Sequence, residues 1–447
     1  MKLLLSPVTA VTCDTKFRVI KDASIQIEDG AISYVGPRTE APDFAPDETI
    51  GGEHLVALPG LVNTHAHNAM TLLRGWADDK PLEAWLSEDI WPFEANLQLA
   101  DIVAGTELAL CEMLRGGTTT VADMYFGYEK TVESYIASGM RACPGAVLLG
   151  FLPGADEKIA RGKEFVRDFA AAGDGRISPF FAPHSLYTCD RAQWQTIIEA
   201  ARELGALIHT HIAETTREVA DVTKSWGASP IQTLQNIGAF DGPLHAAHCV
   251  HLDGKDWDVV QSTVEDGAFR VAHNPSSNLK LASGFAPVME FLRRGVPTGI
   301  ATDGAASNND LDMWEEMRLA AFIHKAATGD ATAVSAREAL LMATREGARC
   351  LNLPQIGALQ TGWRADICLM NFDAAHLTPN HSVVSNLVYA AKASDVATTI
   401  VDGKVLFRNG ELKTLDEARI KHDARESAAR LAVAARTSAG SKASGNG

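Results

Sequence analysis

Leu58-Pro59-Gly60-Leu61-Val62-Asn63-Thr64-His65-Ala66-His67 begins as an apolar run, spelling a strand over 58–65, and ends in two histidines two positions apart. Side chains two apart on a strand share a face, so both imidazoles can project from one strand end. An H-x-H alone is a weak signal. Downstream, four further apolar runs also finish on polar groups: His211-Ile212-Ala213-Glu214, His245-Ala246-Ala247-His248, His273-Asn274-Pro275 and Thr302-Asp303-Gly304. The ordered set is what gives the first segment its meaning.

These runs belong to a regular alternation. Strands are expected at 58–65, 118–123, 143–150, 177–183, 206–211, 244–249, 268–273 and 298–303, with helical stretches such as Leu99–Arg115, Arg191–Leu204, Pro230–Ile237 and Pro287–Arg294 between them. Strand–helix alternation of this length predicts an α/β fold, a (β/α)8 TIM-type barrel, whose chemistry sits at the carboxyl ends of its strands. Asp29-Gly30 and Asp402-Gly403, each between alternating apolar runs, are strong hairpin signals near opposite ends of the chain. Residues 1–57 and 356–447 are therefore expected to build one small β-sandwich domain around the inserted barrel of 58–355. Met1 to Pro7 has an apolar stretch too short for a signal peptide and reads as a first strand. A charged helix follows about residue 416, and Thr437 to Gly447 has the composition of a flexible tail.

The connection from His67 to about Gln98 is too long for a plain loop and carries Trp76, Trp85, Trp91 and Phe93. Such connections serve as lids or pocket walls. The 447 residues carry 40 basic against 56 acidic side chains, a formal charge of −16, which argues against a nucleic-acid partner. No apolar run reaches the roughly 18 residues of a membrane span. The seven cysteines are scattered without a C-x-x-C pair, indicating neither a disulfide framework nor a thiolate zinc site. A reducing cytoplasm is the expected compartment.

His65, His67, His211 and Asp303 supply three imidazoles and one carboxylate, a set for one zinc-like ion. The same donors tolerate iron or manganese. Such an ion lowers the pKa of bound water to roughly 7. His209 is assigned to deeper packing. Glu214, three residues past a ligand, is placed to act as general acid–base. By strand parity His248 is expected to face inward and orient the attacking water, and His245 to face the surrounding helices. The segment from His273 to Asn278 is given a shaping role only. The fourth strand ends Pro179-Phe180-Phe181-Ala182-Pro183-His184 without a lysine to bridge two metals, so a single ion is expected.

Together with Leu73-Arg74-Gly75, Trp91-Pro92-Phe93-Glu94, Ala182-Pro183-His184-Ser185-Leu186-Tyr187 and Ala247-His248-Cys249-Val250-His251-Leu252, the segment 58–67 resembles the amidohydrolase superfamily, in its 5′-methylthioadenosine/S-adenosylhomocysteine deaminase branch. The resemblance runs to about residue 415. It implies one zinc ion per chain on His65, His67, His211 and Asp303, with Glu214 protonating a purine ring nitrogen. It further implies that His248 helps activate water, that Asp303 passes a proton to the departing ammonia, and that Glu94 and His184 bind the nucleoside. Glu214 and Asp303 would then touch substrate as well. Arg161 is the candidate for an arginine that contacts substrate in some relatives, but its surroundings do not align and it is not assigned. The expected partner is a small purine nucleoside, in a homo-oligomer with no nucleic acid or membrane. The rival expectations are a deaminase or hydrolase of another heterocycle and, from a different class, a non-catalytic scaffold, against which stands the complete ligand set.

Overall fold

The computed structural model describes residues 1–444 and contains two sheets. Eight parallel strands, Leu61–Ala66, Thr118–Asp123, Arg141–Leu148, Phe180–Pro183, Ile208–Ile212, Leu244–His248, Phe269–His273 and Thr298–Ile300, pair in chain order. Their residues are almost all buried, as a sheet with both faces covered requires. The barrel closes where Ala66 bridges Asp303 and the Asp303 N–H donates to the His65 carbonyl at 3.0 Å. Closure thus joins the first and last strands at the two residues expected to meet there.

Helices Leu99–Arg115 and Arg191–Leu204 fall where periodicity places them. The second begins in a capping box: Asp190 accepts the Gln193 N–H, and the Gln193 side chain accepts the Asp190 N–H. It ends at Gly205, whose φ of 62° suits a left-handed cap.

Both chain ends contribute to a second, nine-stranded mixed sheet. Lys2–Val11 pairs antiparallel with Val19–Glu28 and parallel with Leu55–Pro59, which pairs antiparallel with Ile367–Asn371. The hairpin turns have the positive φ pairs of type I′ geometry, 51° and 81° at Asp29-Gly30, 52° and 72° at Asp402-Gly403. Leu3, Leu5, Ile25, Ile27, Ile367 and Leu369 form its core.

One strand expectation changes. Leu58 and Pro59 belong to the mixed sheet, and the barrel strand starts only at Leu61. Gly60 breaks the run because a Cβ there would lie 2.1 Å from Thr119, so only glycine lets the chain pass between the sheets.

The long connection folds into short turns: Asn68–Leu73, Leu82–Ala84, a π-helical Trp85–Ile90 and Trp91–Glu94. Trp76 and Phe93 pack edge to face with centroids 5.0 Å apart. The last helix, Glu417–Ser444, covers them, burying Leu431 and placing the Arg436 guanidinium 5.5 Å from the Trp76 ring. This helix runs through residues 437–444, where composition suggested a flexible tail; 445–447 lie outside the described residues. Its alanine-rich run Ala428-Ala429-Arg430-Leu431-Ala432-Val433-Ala434-Ala435-Arg436 favours continued helix. Among the described residues, all seven cysteines are free and buried, and no helix is long and apolar enough to cross a membrane.

Candidate metal centre and catalytic cavity

The first strand delivers His65 and His67, the fifth His211, and the turn after the eighth Asp303. Their donor atoms converge. His65 Nε2 stands 3.4 Å and His67 Nε2 3.3 Å from Asp303 Oδ1, and His211 Nε2 is 3.3 Å from His67 Nε2. Donors about 2.0–2.1 Å from one ion can lie about 3.3–3.4 Å apart, as these three pairs do, and Asp303 also forms a close group with His65 and His248. The three histidine donors all lie within 4.8 Å of one another.

Each ring is turned by its other nitrogen. His67 Nδ1 donates to the Met124 carbonyl at 2.6 Å, and His211 Nδ1 to the His184 carbonyl at 2.8 Å. His65 Nδ1 donates to His209 Nε2 at 2.7 Å. Such bonds fix the tautomer and leave every Nε2 as a lone-pair donor toward the centre. His65 Nε2 is buried without a hydrogen-bond partner, the orphan a cation would satisfy. Burial alone would raise Asp303, but His65 and His67 hold its carboxyl well below the usual range. Ser277 Oγ donates to Asp303 Oδ2 at 2.6 Å and the Gly304 N–H to Oδ1 at 2.8 Å. Three imidazoles around an oriented carboxylate fit a divalent metal.

Strand parity fails for the two histidines of the sixth strand. His245 pairs in register with inward His209, and their rings stack at 4.6 Å. Its Nε2 donates to the Thr64 carbonyl at 3.0 Å, inside the barrel rather than toward the helices. Ala247 then takes the inward position, in a small floor with Ala272 and Ala301. His248 is out of phase and reaches the site because its φ is +70° and that of Cys249 +48°. Left-handed backbone at non-glycine residues is costly and collects at functional sites. His248 Nδ1 is held by Asn278 Oδ1 at 2.8 Å, which leaves Nε2 3.7 Å from Glu214 Oε2 and 3.9 Å from Asp303 Oδ2.

Glu214 is buried, and burial pushes its carboxyl up, toward the protonated form. Its loop is clamped by Glu218, whose carboxylate accepts the Ala213 N–H at 2.9 Å and the Glu214 N–H at 2.7 Å. Thr215-x-x-Glu218 looks like a capping box in sequence, which disguises this role. His209, Ser277, Asn278 and Glu218 were not expected to position the site. His209 had been assigned to deeper packing, and Ser277 and Asn278 lay in a segment given a shaping role alone.

These groups open onto a cleft with about 800 Å³ of empty space, open solvent included. Glu94 and His184 both line it, as do Trp85 and Trp91 of the long connection. Tyr125 donates to Glu94 Oε1 at 2.6 Å. Burial raises Glu94 despite that bond, and pushes His184 down to about 3, so that ring is neutral. Arg161 is elsewhere, exposed on the helix Ala155–Asp168.

Over residues 56–406 the sequence matches the family model described as Amidohydrolase family. It is 44% identical over 430 residues to the 5-methylthioadenosine/S-adenosylhomocysteine deaminase of Pelotomaculum thermopropionicum, covering 96% of this chain and 98% of that protein. Its identity to the deaminase of the same name from Moorella thermoacetica is 46% over 404 residues, 90% of this chain and 94% of that one. A crystal structure of an adenosine deaminase from Xanthomonas campestris with bound zinc superposes with a TM-score of 0.91 at 38% identity, covering 96% and 98% of the two chains.

Proposed function

The chain belongs to the amidohydrolase family, and from that premise we propose that it is a metal-dependent hydrolytic deaminase of adenine nucleosides of the 5′-methylthioadenosine and S-adenosylhomocysteine type. The observation that carries the reading is the convergence of His65, His67, His211 and Asp303 beside a buried Glu214. Water adds to the ring carbon bearing the amino group, the exocyclic C–N bond breaks, and hypoxanthine nucleoside and ammonia leave.

A zinc ion held by these four residues would polarise water and make it a nucleophile near neutral pH. Glu214, whose carboxyl burial pushes up toward the protonated form, donates to the ring nitrogen next to the attacked carbon and recovers a proton from the new hydroxyl as the carbonyl forms. His248, its Nδ1 held by Asn278, turns Nε2 toward Glu214 and Asp303 to orient water against the base. Asp303 Oδ2, within 3.9 Å of that nitrogen, receives the water proton and returns it to the departing ammonia. Glu94 offers a carboxylate for two ribose hydroxyls, a natural pairing for a cis-diol. His184 stands beside it as a neutral contact for the nucleoside.

The test is ammonia release from adenine nucleosides, guanine, cytosine and pterins before chelation, after it, and after zinc is restored. Activity on adenine nucleosides should vanish and return. Glu214→Gln should keep its metal yet lose roughly 10²–10⁴-fold in kcat. Metal-free protein working at full rate, or ammonia from a different ring system alone, overturns the proposal.

A further inference from the structure

Resting on that adenine-nucleoside reading, we infer that a groove beside the catalytic cleft binds the amino-acid tail of S-adenosylhomocysteine, with Arg217 as the partner of its carboxylate. Groove and cleft share one wall, made of Leu82, Leu86, Trp91 and Tyr187. Glu94, offered above for the ribose hydroxyls, ends the short helix Trp91–Glu94 that begins at this wall. A nucleoside with its base at Glu214 and its ribose at Glu94 has the wall within reach of its 5′ substituent. Tryptophan and leucine suit a thioether sulfur and its methylenes. A methylthio group ends there, whereas a homocysteine chain continues over the wall into the groove.

Beyond the wall the groove holds one cation among acids. Arg217 stands in the first turn of the helix Thr216–Trp226, its side chain 67% exposed, 3.9 Å from Glu83 and 3.7 Å from Asp221. Both separations are too long for hydrogen bonds, so the guanidinium keeps its planar fork for an incoming carboxylate. The helix start adds partial positive charge on the same side. Glu83 and Asp221 flank the arginine as acceptors for the ammonium, which the zwitterion carries on the carbon next to its carboxylate. Glu218, the remaining acid of the groove, is occupied by the Ala213 and Glu214 amides. A second groove, with Arg191, fits less well. Among the described residues it meets the cleft at Tyr187 and Thr188 alone, and Arg191 is already stacked 4.8 Å over the Trp226 ring.

The readout is steady-state kcat/KM for S-adenosylhomocysteine divided by that for 5′-methylthioadenosine. Because the groove is open to solvent, Arg217→Ala should lower this ratio by roughly 10-fold and Arg217→Glu by more, while Arg191→Ala leaves it unchanged. The thioether 5′-(3-carboxypropylthio)adenosine keeps the carboxylate without the ammonium and should share the sensitivity to Arg217→Ala. Its counterpart 5′-(3-aminopropylthio)adenosine keeps only the ammonium and should not. A ratio unmoved by both Arg217 variants, or moved by Arg191→Ala instead, overturns the inference while the parent reading stands. Equal sensitivity of the two single-charge compounds overturns it as well. Unaltered protein that releases ammonia from none of these nucleosides overturns both.

Discussion

His65 donates its Nδ1–H to Nε2 of His209 across 2.7 Å, whereas His67 and His211 each donate to a main-chain carbonyl. His209 is fully buried and passes its own Nδ1–H to the His245 carbonyl at 2.8 Å, so its Nε2 stays an acceptor. Of the three rings, His65 is therefore the one a substitution can release. His209→Ala should weaken metal binding by roughly 10–100-fold, measured by competition with a chelator. His209→Gln, whose amide oxygen accepts the same N–H, should recover most of it. Unchanged affinity in the alanine variant would reduce His209 to packing.

Glu218 holds two amide groups of the turn that carries Glu214, one of them at Ala213 with φ of 52°. Glu218→Ala frees that turn, and the acid drifts from its line to the substrate. A displacement of about 1 Å costs on the order of 10²-fold. The loss should fall on kcat more than on KM, with metal content by atomic absorption unchanged. A loss confined to KM would contradict the clamp.

Glu94 takes its orientation from Tyr125 at 2.6 Å. Glu94→Ala removes a charged hydrogen-bonding group, an effect of about 1.5–3 kcal/mol, or roughly 10–150-fold in kcat/KM. The same substitution should scarcely alter turnover of a 2′,3′-dideoxy nucleoside, which lacks the diol. Equal losses on both substrates would remove Glu94 from ribose recognition.

Burial pushes Glu316 up to about 8, although the Ser276 N–H and the Asn308 amide both donate to it. The folded state thus favours the protonated acid. Its contribution is fully present below about 4.5, the value of the free side chain, and is lost as pH rises through about 8. Glu316→Gln carries no titrating group there, so its Tm relative to the parent should climb between pH 5 and pH 9. Melting curves at matched ionic strength check this. A constant difference across that range would mean Glu316 does not titrate in it.

Much of the architecture was legible because its signals are local. Asp-Gly between alternating runs demands a type I′ turn wherever it occurs, and both such hairpins formed. The helices at 99–115 and 191–204 carry their own periodicity and, in the second, its own cap. Gly60 was misread because a one-residue break between two buried strands leaves no change in hydrophobic pattern.

By itself, the order of strand-end residues determined the barrel and singled out His65, His67, His211 and Asp303 as candidate donors, since a parallel barrel brings all its carboxyl ends to one face. Only tertiary structure decided which way His245 and His248 point. Alternation counts residues on the assumption of extended backbone, and a φ of +70° at His248 breaks that count where the site begins. It alone also decided that His209 turns His65, that Asn278 turns His248 and that Ser277 holds Asp303. Those partners lie 144, 30 and 26 residues apart, and they meet only once barrel register and closure are set.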